Sequence, residues 1–123
     1  MRTLFSRQLS ATLILAAAMA VAAPVFATDT ESEIEYLLTT IGTSGCEFIR
    51  NGKTHSAEDA ESHLRMKYKR GKRYAKTAEL FIERLATASS LSKRPYEISC
   101  DGGIEPTGEW LKARLDELRS ERT

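Results

Sequence analysis

Residues 46–55 read CEFIRNGKTH, and this stretch predicts a β-hairpin. Its first half carries Phe48 and Ile49, an aromatic and a β-branched residue of the kinds that favour strands. Asn51 and Gly52 follow, and this pair favours a type I′ turn because both central residues of that turn need a positive φ. The residues after the turn predict a short returning strand.

A second strand is predicted at residues 95–100, in which every second residue, ending at Cys100, lies on one face. Cys46 and Phe48 share a face of the first strand in the same way. A bond between the two cysteines would close a loop of about 55 residues and contribute about 4 kcal/mol. A reactive thiol would need a neighbouring base or a Cys-x-x-Cys pair, and the sequence shows neither. We therefore expect a disulfide between Cys46 and Cys100.

Four segments around these strands have apolar residues at helical spacing. The predicted helices cover residues 30–41, 56–70, 77–88 and 106–121. Asp101 and the two glycines after it predict a turn. The expected fold class is α+β, with about four helices packed on a small two- or three-stranded antiparallel sheet and one disulfide.

The first 27 residues predict a secretory signal peptide. Arg2 and Arg7 supply a positive start, an apolar run covers residues 9–23, and Val25 and Ala27 stand at the −3 and −1 positions of a cleavage site. The apolar run is shorter than the roughly 20 residues that span a bilayer. We therefore expect cleavage after Ala27, a single mature domain at residues 28–123, and no transmembrane segment in the mature chain.

Composition and missing motifs restrict the function. The chain has 123 residues with 18 Lys or Arg and 17 Asp or Glu, a net charge of +1. This balance argues against a dedicated nucleic-acid binder, so we expect no nucleic acid among the partners. The sequence has no Gly-x-Ser-x-Gly elbow and no glycine loop that could cradle a phosphate. We expect no cofactor and no metal site, and the sequence does not identify an enzyme.

A basic cluster is the most distinctive charged feature. Seven Lys or Arg residues lie within residues 65–76, interleaved with tyrosines. One interpretation is a solvated helix end, where cations are favoured by the helix dipole. The other is a non-catalytic binding module for an envelope protein or an anionic envelope component. Its candidate binding residues are Arg50, Arg65, Lys69, Arg70, Arg73 and Tyr74.

The histidines support an alternative function, a metal-dependent or hydrolytic enzyme. Asp59 and His63 lie one turn apart on the predicted second helix, and His55 comes just before that helix. A metal site needs about three or four converging ligands, which these residues would supply only if His55 folded back over the helix. The structural interpretation is that Asp59 hydrogen-bonds His63 and selects its tautomer.

Several short segments between residues 30 and 118 are distinctive in combination. They are FIRNG at 48–52, His55, HLR at 63–65, KY at 67–68, TAE at 77–79, FI at 81–82, SS at 89–90 and PY at 95–96. Together they resemble the YfeK-like family, a group of short exported Gram-negative proteins of unknown function. The resemblance implies a periplasmic protein with a shared small fold, and it implies no catalytic residue. Lys93 departs from the family pattern, in which we expect Gly at this position.

Overall fold

The computed structural model describes residues 12–20 and 29–122. Residues 12–20, part of the predicted signal peptide, are exposed and form neither helix nor strand. The rest of that peptide, including the predicted cleavage site after Ala27, lies outside the described residues. Within the two described ranges, no helix is long and apolar enough to cross a membrane.

The domain alternates pairs of strands with helices. The helices are α1 (Asp29–Thr43), α2 (Ala57–Gly71), α3 (Ala78–Phe81) and α4 (Thr107–Glu121). The strands are β1 (Glu47–Arg50), β2 (Lys53–His55), β3 (Glu97–Cys100) and β4 (Gly103–Pro106). A 3₁₀ turn follows α2 at Lys72–Tyr74, and a π-helical turn continues α3 over Ile82–Ala86. These elements confirm the predicted α+β class.

The strands form one antiparallel sheet in the order β2-β1-β3-β4. The predicted turn joins β1 to β2, and Asn51 and Gly52 there have φ values of 51° and 75°. Strand β4 is one strand more than the two or three expected. All of its residues are exposed, and Ile104 is 60% exposed. An edge strand without a buried face lacks the alternation that would predict it.

One face of the sheet packs against the helices. Phe48 and Ile98 are partners across β1 and β3, and both are buried. Their neighbours Glu47 and Glu97 are exposed, so the opposite face meets solvent. The core between this face and the helices includes the predicted apolar face of α1, which is buried throughout. Its members are Ile34, Leu37, Leu38 and Ile41.

The predicted disulfide between Cys46 and Cys100 is present, with the Cα atoms 4.7 Å apart. Each cysteine lies two residues from a buried core residue, Phe48 in the first case and Ile98 in the second. Both cysteines are partly buried and pack against the core. The bond therefore joins β1 to β3 at one end of the buried face.

The third helix is shorter than predicted. Its regular part gives way to the π-helical turn, and the Thr87 hydroxyl donates to the Ile82 carbonyl at 2.6 Å. Such a hydrogen bond from a side chain to a backbone carbonyl competes with the backbone hydrogen bonds that would continue the helix. Ala88 leaves the helix and pairs with Pro95. In the loop between them, Lys93 has a φ of 63°, the left-handed conformation that favours glycine, which explains the expectation of Gly there.

Candidate functional site

Arg50 and Tyr96 lie side by side at one end of the buried sheet face. Side chains alternate along a strand, so Arg50 lies on the face of Phe48. Tyr96 precedes Ile98 by two residues, and the pairing of Phe48 with Ile98 places Arg50 and Tyr96 across from each other. Tyr96 is buried and Arg50 is partly buried. This end of the face therefore carries two polar groups, the Arg50 guanidinium and the hydroxyl of Tyr96, whose ring belongs to the core.

Helix α2 places a polar stripe over the same end. His63, Lys67 and Arg70 follow one another at helical spacing, so they share one face of α2. His63 and Lys67 are partly buried, and Arg70 is exposed. The buried Leu64 anchors the helix to the core beside them. The side chains of His63 and Lys67 are therefore held against the sheet.

His63 makes a hydrogen bond through each ring nitrogen. Arg50 Nη1 lies 2.7 Å from His63 Nδ1, and Tyr96 Oη lies 3.3 Å from Nε2. Because a guanidinium can only donate, Nδ1 accepts, so Nε2 carries the proton and donates to Tyr96. Lys67 Nζ also donates to Tyr96 Oη, at 3.0 Å, and to the Ala88 carbonyl, at 3.1 Å.

These bonds leave hydrogen-bond donors in excess. The Tyr96 oxygen accepts from both His63 and Lys67, so the O–H of Tyr96 is left to donate elsewhere. One N–H of Lys67 and most of those of Arg50 are likewise not used by this network. The three side chains therefore offer donors to the neighbouring space, an arrangement that suits an oxyanion.

The pKa values show the effect of burial and repulsion. Burial, with the charges of Arg50 and Lys67, lowers the pKa of His63 to about 4. Burial and the charge of Arg50 lower the pKa of Lys67 to about 8. Burial raises the pKa of Tyr96, and Arg50 opposes that change. At neutral pH, His63 is therefore neutral, whereas Lys67 is predominantly charged and is repelled by the Arg50 guanidinium.

Two adjoining hollows meet at this network. The larger is a cleft of about 910 Å³ between the β1–β2 hairpin, α2 and residues 84–91. It is lined by five cationic side chains and by no acidic residue, and none of the five forms an ion pair within the described part of the chain. These side chains are Arg50, Lys53, Lys67, Arg70 and Arg84. We call this hollow the cationic cleft.

The smaller hollow, of about 350 Å³, lies between β1, α2 and the start of α4. It shares Arg50, His55, His63 and Tyr96 with the cationic cleft. Asp59 and Thr107 line only the smaller hollow. We call it the inner chamber.

The structure brings part of the predicted binding set together. Arg50, Arg70 and Tyr74 line the cationic cleft. Arg73 does not line it, and its guanidinium stacks over the Tyr74 ring at 4.7 Å. Lys69 is exposed and lies outside the cleft.

Arg65 is separated from this group. It lies on a different face of α2, with Glu35 at 2.8 Å and Glu61 at 2.6 Å. The hydrogen bond from Arg65 holds the pKa of Glu35 below its usual value. The guanidinium is therefore used within the fold, between α1 and α2.

Sequence reasoning missed Lys53, Lys67, Arg84 and Tyr96 as lining residues of one cleft. Part of the signal was visible, because Lys67 lies at helical spacing between His63 and Arg70. The basic run contains too many charges for composition alone to show which of them share a face. The approach of Arg84 depends on how the π-helical turn packs, which has no local signature.

The metal alternative finds little geometric support. Both ring nitrogens of His63 are engaged by Arg50 and Tyr96, and the expected hydrogen bond between His63 and Asp59 is not formed. Asp59 is exposed at the start of α2, whereas the His63 ring turns towards the sheet. Among the described residues, no group of three or more His, Cys, Asp or Glu side chains could hold a metal ion.

Acid is expected to destabilise the fold through His63. Its pKa is about 4 in the folded protein against an ordinary value of 6.5. The unfolded chain therefore takes up this proton first, so the stability from neutral His63 is complete above about pH 6.5 and is lost as the pH falls towards about 4. Because the ring is partly exposed, we expect a loss on the order of 1 kcal/mol.

Urea unfolding across this pH range measures the effect. The variant His63→Asn should show a smaller loss than the parent protein, by about the same 1 kcal/mol. Both proteins keep the carboxylates that also titrate in acid, so their difference isolates His63. An identical pH dependence in the two proteins would contradict the assignment.

Fold and site define a small disulfide-bonded α+β domain with a cationic cleft. A family model described as "Family of unknown function (DUF5329)" matches residues 28–119, and the chain belongs to this DUF5329 family. The chain is also 45% identical over 49 residues to the uncharacterized protein YfeK of Salmonella typhimurium. That match covers 40% of this chain and 41% of YfeK, so it spans less than half of the relative. The predicted resemblance is confirmed. No solved structure matches the chain.

Proposed function

We propose that this protein is a non-catalytic module that binds an anionic component of the cell envelope in its cationic cleft. The observation that carries the proposal is the set of five cationic side chains around a cleft without an acidic lining residue. Grouping like charges raises the electrostatic free energy of the empty cleft, and a bound anion lowers it. The concave shape suits a phosphate or carboxylate group that enters the cleft.

The rest of the domain provides a contrast. Outside the cleft, several cationic side chains pair with carboxylates, as Arg65 does with Glu35 and Arg114 with Glu117. Inside the cleft, Lys67 is bonded only to neutral groups, the Ala88 carbonyl and the Tyr96 hydroxyl. Five cationic side chains without an ion pair in the described part of the chain therefore meet in one concave surface.

The hydrogen-bond network prepares the site for an oxyanion. Arg50 and Lys67 are held by His63 and Tyr96, so their positions are set before a ligand arrives. The O–H of Tyr96 and an N–H of Lys67 remain to donate to an incoming oxygen. Burial and the charge of Arg50 lower the pKa of Lys67, and a bound anion would offset the repulsion from Arg50.

The proposal includes export to the periplasm of a Gram-negative bacterium. A disulfide between Cys46 and Cys100 fits an oxidising compartment, and the N-terminal pattern fits a cleaved signal peptide. The intact mass of the protein recovered from the envelope tests this part. A chain beginning at Thr28 would support export, and a chain that retains residues 1–27 would contradict it.

Reversing the charge of Arg70 is expected to weaken anion binding. Arg70 lines the cleft, whereas the adjacent Lys69 does not. Arg70→Glu should weaken the binding of tripolyphosphate about tenfold, because it replaces an attraction with a repulsion. Titration calorimetry at low salt measures the affinity, and added salt should weaken binding by the parent protein.

The matched control is Lys69→Glu, which changes the net charge equally on the neighbouring residue. It should alter the affinity by no more than about twofold, because an exposed charge outside the cleft is screened. Equal losses in the two variants would show attraction to net charge alone. That result, or no binding by the parent protein, would overturn the cleft as the binding site.

A further inference from the structure

Resting on the proposed function, we propose that the preferred ligand is an acidic sugar, a hydroxylated ring that carries one phosphate or carboxylate group. Its acid group would lie at Arg50 and Lys67, and its ring would enter the inner chamber. The cationic cleft would hold the acid group of the ligand, and the inner chamber would hold its ring. The residues that line both hollows, and so form the boundary between them, are Arg50, His55, His63 and Tyr96.

The size and walls of the inner chamber fit such a ring. Its volume of about 350 Å³ lies within the range of small-ligand pockets. Phe48 and Tyr96 contribute aromatic side chains to the wall, which suit the flat faces of a sugar ring. Leu64 adds an apolar contact beside them.

The polar side chains that line the inner chamber are suited to hydrogen bonds with hydroxyl groups. Asp59 is the carboxylate in its lining and accepts hydrogen bonds, and His55 lies in the same wall. The phosphate or carboxylate of a ligand would be repelled by Asp59, whereas a ring hydroxyl would donate to it. The acid group is therefore directed to the cationic cleft and the hydroxyls to the chamber.

Thr107 provides an independent observation. It is fully buried in the chamber lining, and its hydroxyl is without a hydrogen-bond partner among the described residues. Its backbone N–H is satisfied by the Tyr96 carbonyl at 2.9 Å. A buried hydroxyl without a partner is unfavourable, and a ligand hydroxyl that reached it would remove that penalty.

The test compares four anions by titration calorimetry on the protein produced from its full-length sequence. Inorganic phosphate probes the cationic cleft alone, and glucose-6-phosphate adds a hydroxylated ring. Phenyl phosphate adds an apolar ring of similar size, and glucuronate replaces phosphate with carboxylate. We expect one of the two sugar acids to bind about tenfold more tightly than phosphate and more tightly than phenyl phosphate.

The variant Thr107→Val removes the hydroxyl and keeps the shape of the side chain. It should weaken the preferred sugar acid about fivefold and leave inorganic phosphate unchanged. The fold should be at least as stable, because an unsatisfied buried group has been removed. Thr107→Ser retains the hydroxyl and should retain the preference for the sugar.

The outcomes separate this inference from the proposed function. If none of the four anions binds, the anion-binding function itself is overturned. If phosphate binds and neither sugar acid binds more tightly, the acidic-sugar assignment fails while the function stands. Tighter binding of phenyl phosphate, or an unchanged sugar preference in Thr107→Val, would also overturn the assignment.

Discussion

Replacing Cys46 and Cys100 together with alanine is expected to lower the free energy of unfolding by about 4 kcal/mol. The cysteines are 54 residues apart in sequence, so the disulfide removes many conformations from the unfolded chain. A domain of this size has a total stability of only about 5–15 kcal/mol, so the loss is a large part of it. The disulfide also links the start of β1, the strand that carries Arg50, to the end of β3, the strand that follows Tyr96.

Urea unfolding of the oxidised protein, the reduced protein and the double variant tests this expectation. Reduction and double substitution should give similar losses, because both remove the same covalent bond. The double variant measured with reductant is the control, because it has no disulfide and the reductant should not change its stability. A parent protein whose stability is the same with and without reductant would contradict a stabilising disulfide.

Glu33→Ala is expected to lower the free energy of unfolding by about 2–3 kcal/mol. The Glu33 side chain is 7% exposed, and it accepts two hydrogen bonds from Arg119, at 2.8 and 3.0 Å. Arg122 donates a third at 3.4 Å, so this carboxylate joins α1 to the end of α4. The arginines are 41% and 42% exposed and remain hydrated without Glu33, which keeps the loss below that of a fully buried pair.

Glu117→Ala is the matched control. It removes a carboxylate that pairs with Arg114 on the same helix at 2.7 Å, but the Glu117 side chain is 56% exposed. We expect that variant to change the stability by no more than about 0.5 kcal/mol. Chemical unfolding of both variants gives the comparison. Equal effects would show that burial of Glu33 does not make its ion pairs stronger than surface pairs.

Local patterns sufficed for much of the fold. The Asn51-Gly52 turn, the apolar faces of α1 and α4 and the pairing of the two cysteines each depend on residues close in sequence or on a count of two. The turn and the helix faces are strong local preferences that tertiary packing did not change, and two cysteines, although 54 residues apart, allow only one pairing. Strand β4 and the π-helical turn after α3 were missed, because an exposed edge strand and a side-chain bond from Thr87 leave no periodic pattern.

Less of the candidate site than of the fold could be predicted from the sequence. The sequence indicated a basic surface near the end of α2 and named Arg50, Arg70 and Tyr74, which line the cationic cleft. It grouped Arg65 with them, although Arg65 is paired with Glu35 across the interface with α1. Charge runs reveal the amount of charge in a segment, and only helix packing decides which charges are neutralised.

From the order of its residues alone, this chain could be assigned an α+β fold, because strand alternation, turn chemistry and helical spacing are short-range properties. The disulfide followed from the presence of two cysteines, and the family followed from a combination of short segments. The meeting of Arg50, His63, Lys67 and Tyr96 required the tertiary structure. These residues come from β1, α2 and the segment before β3, and sheet register together with the docking of α2 sets the distances between them. The cationic cleft and the inner chamber arise from that packing, because the shape of a hollow depends on elements distant in sequence.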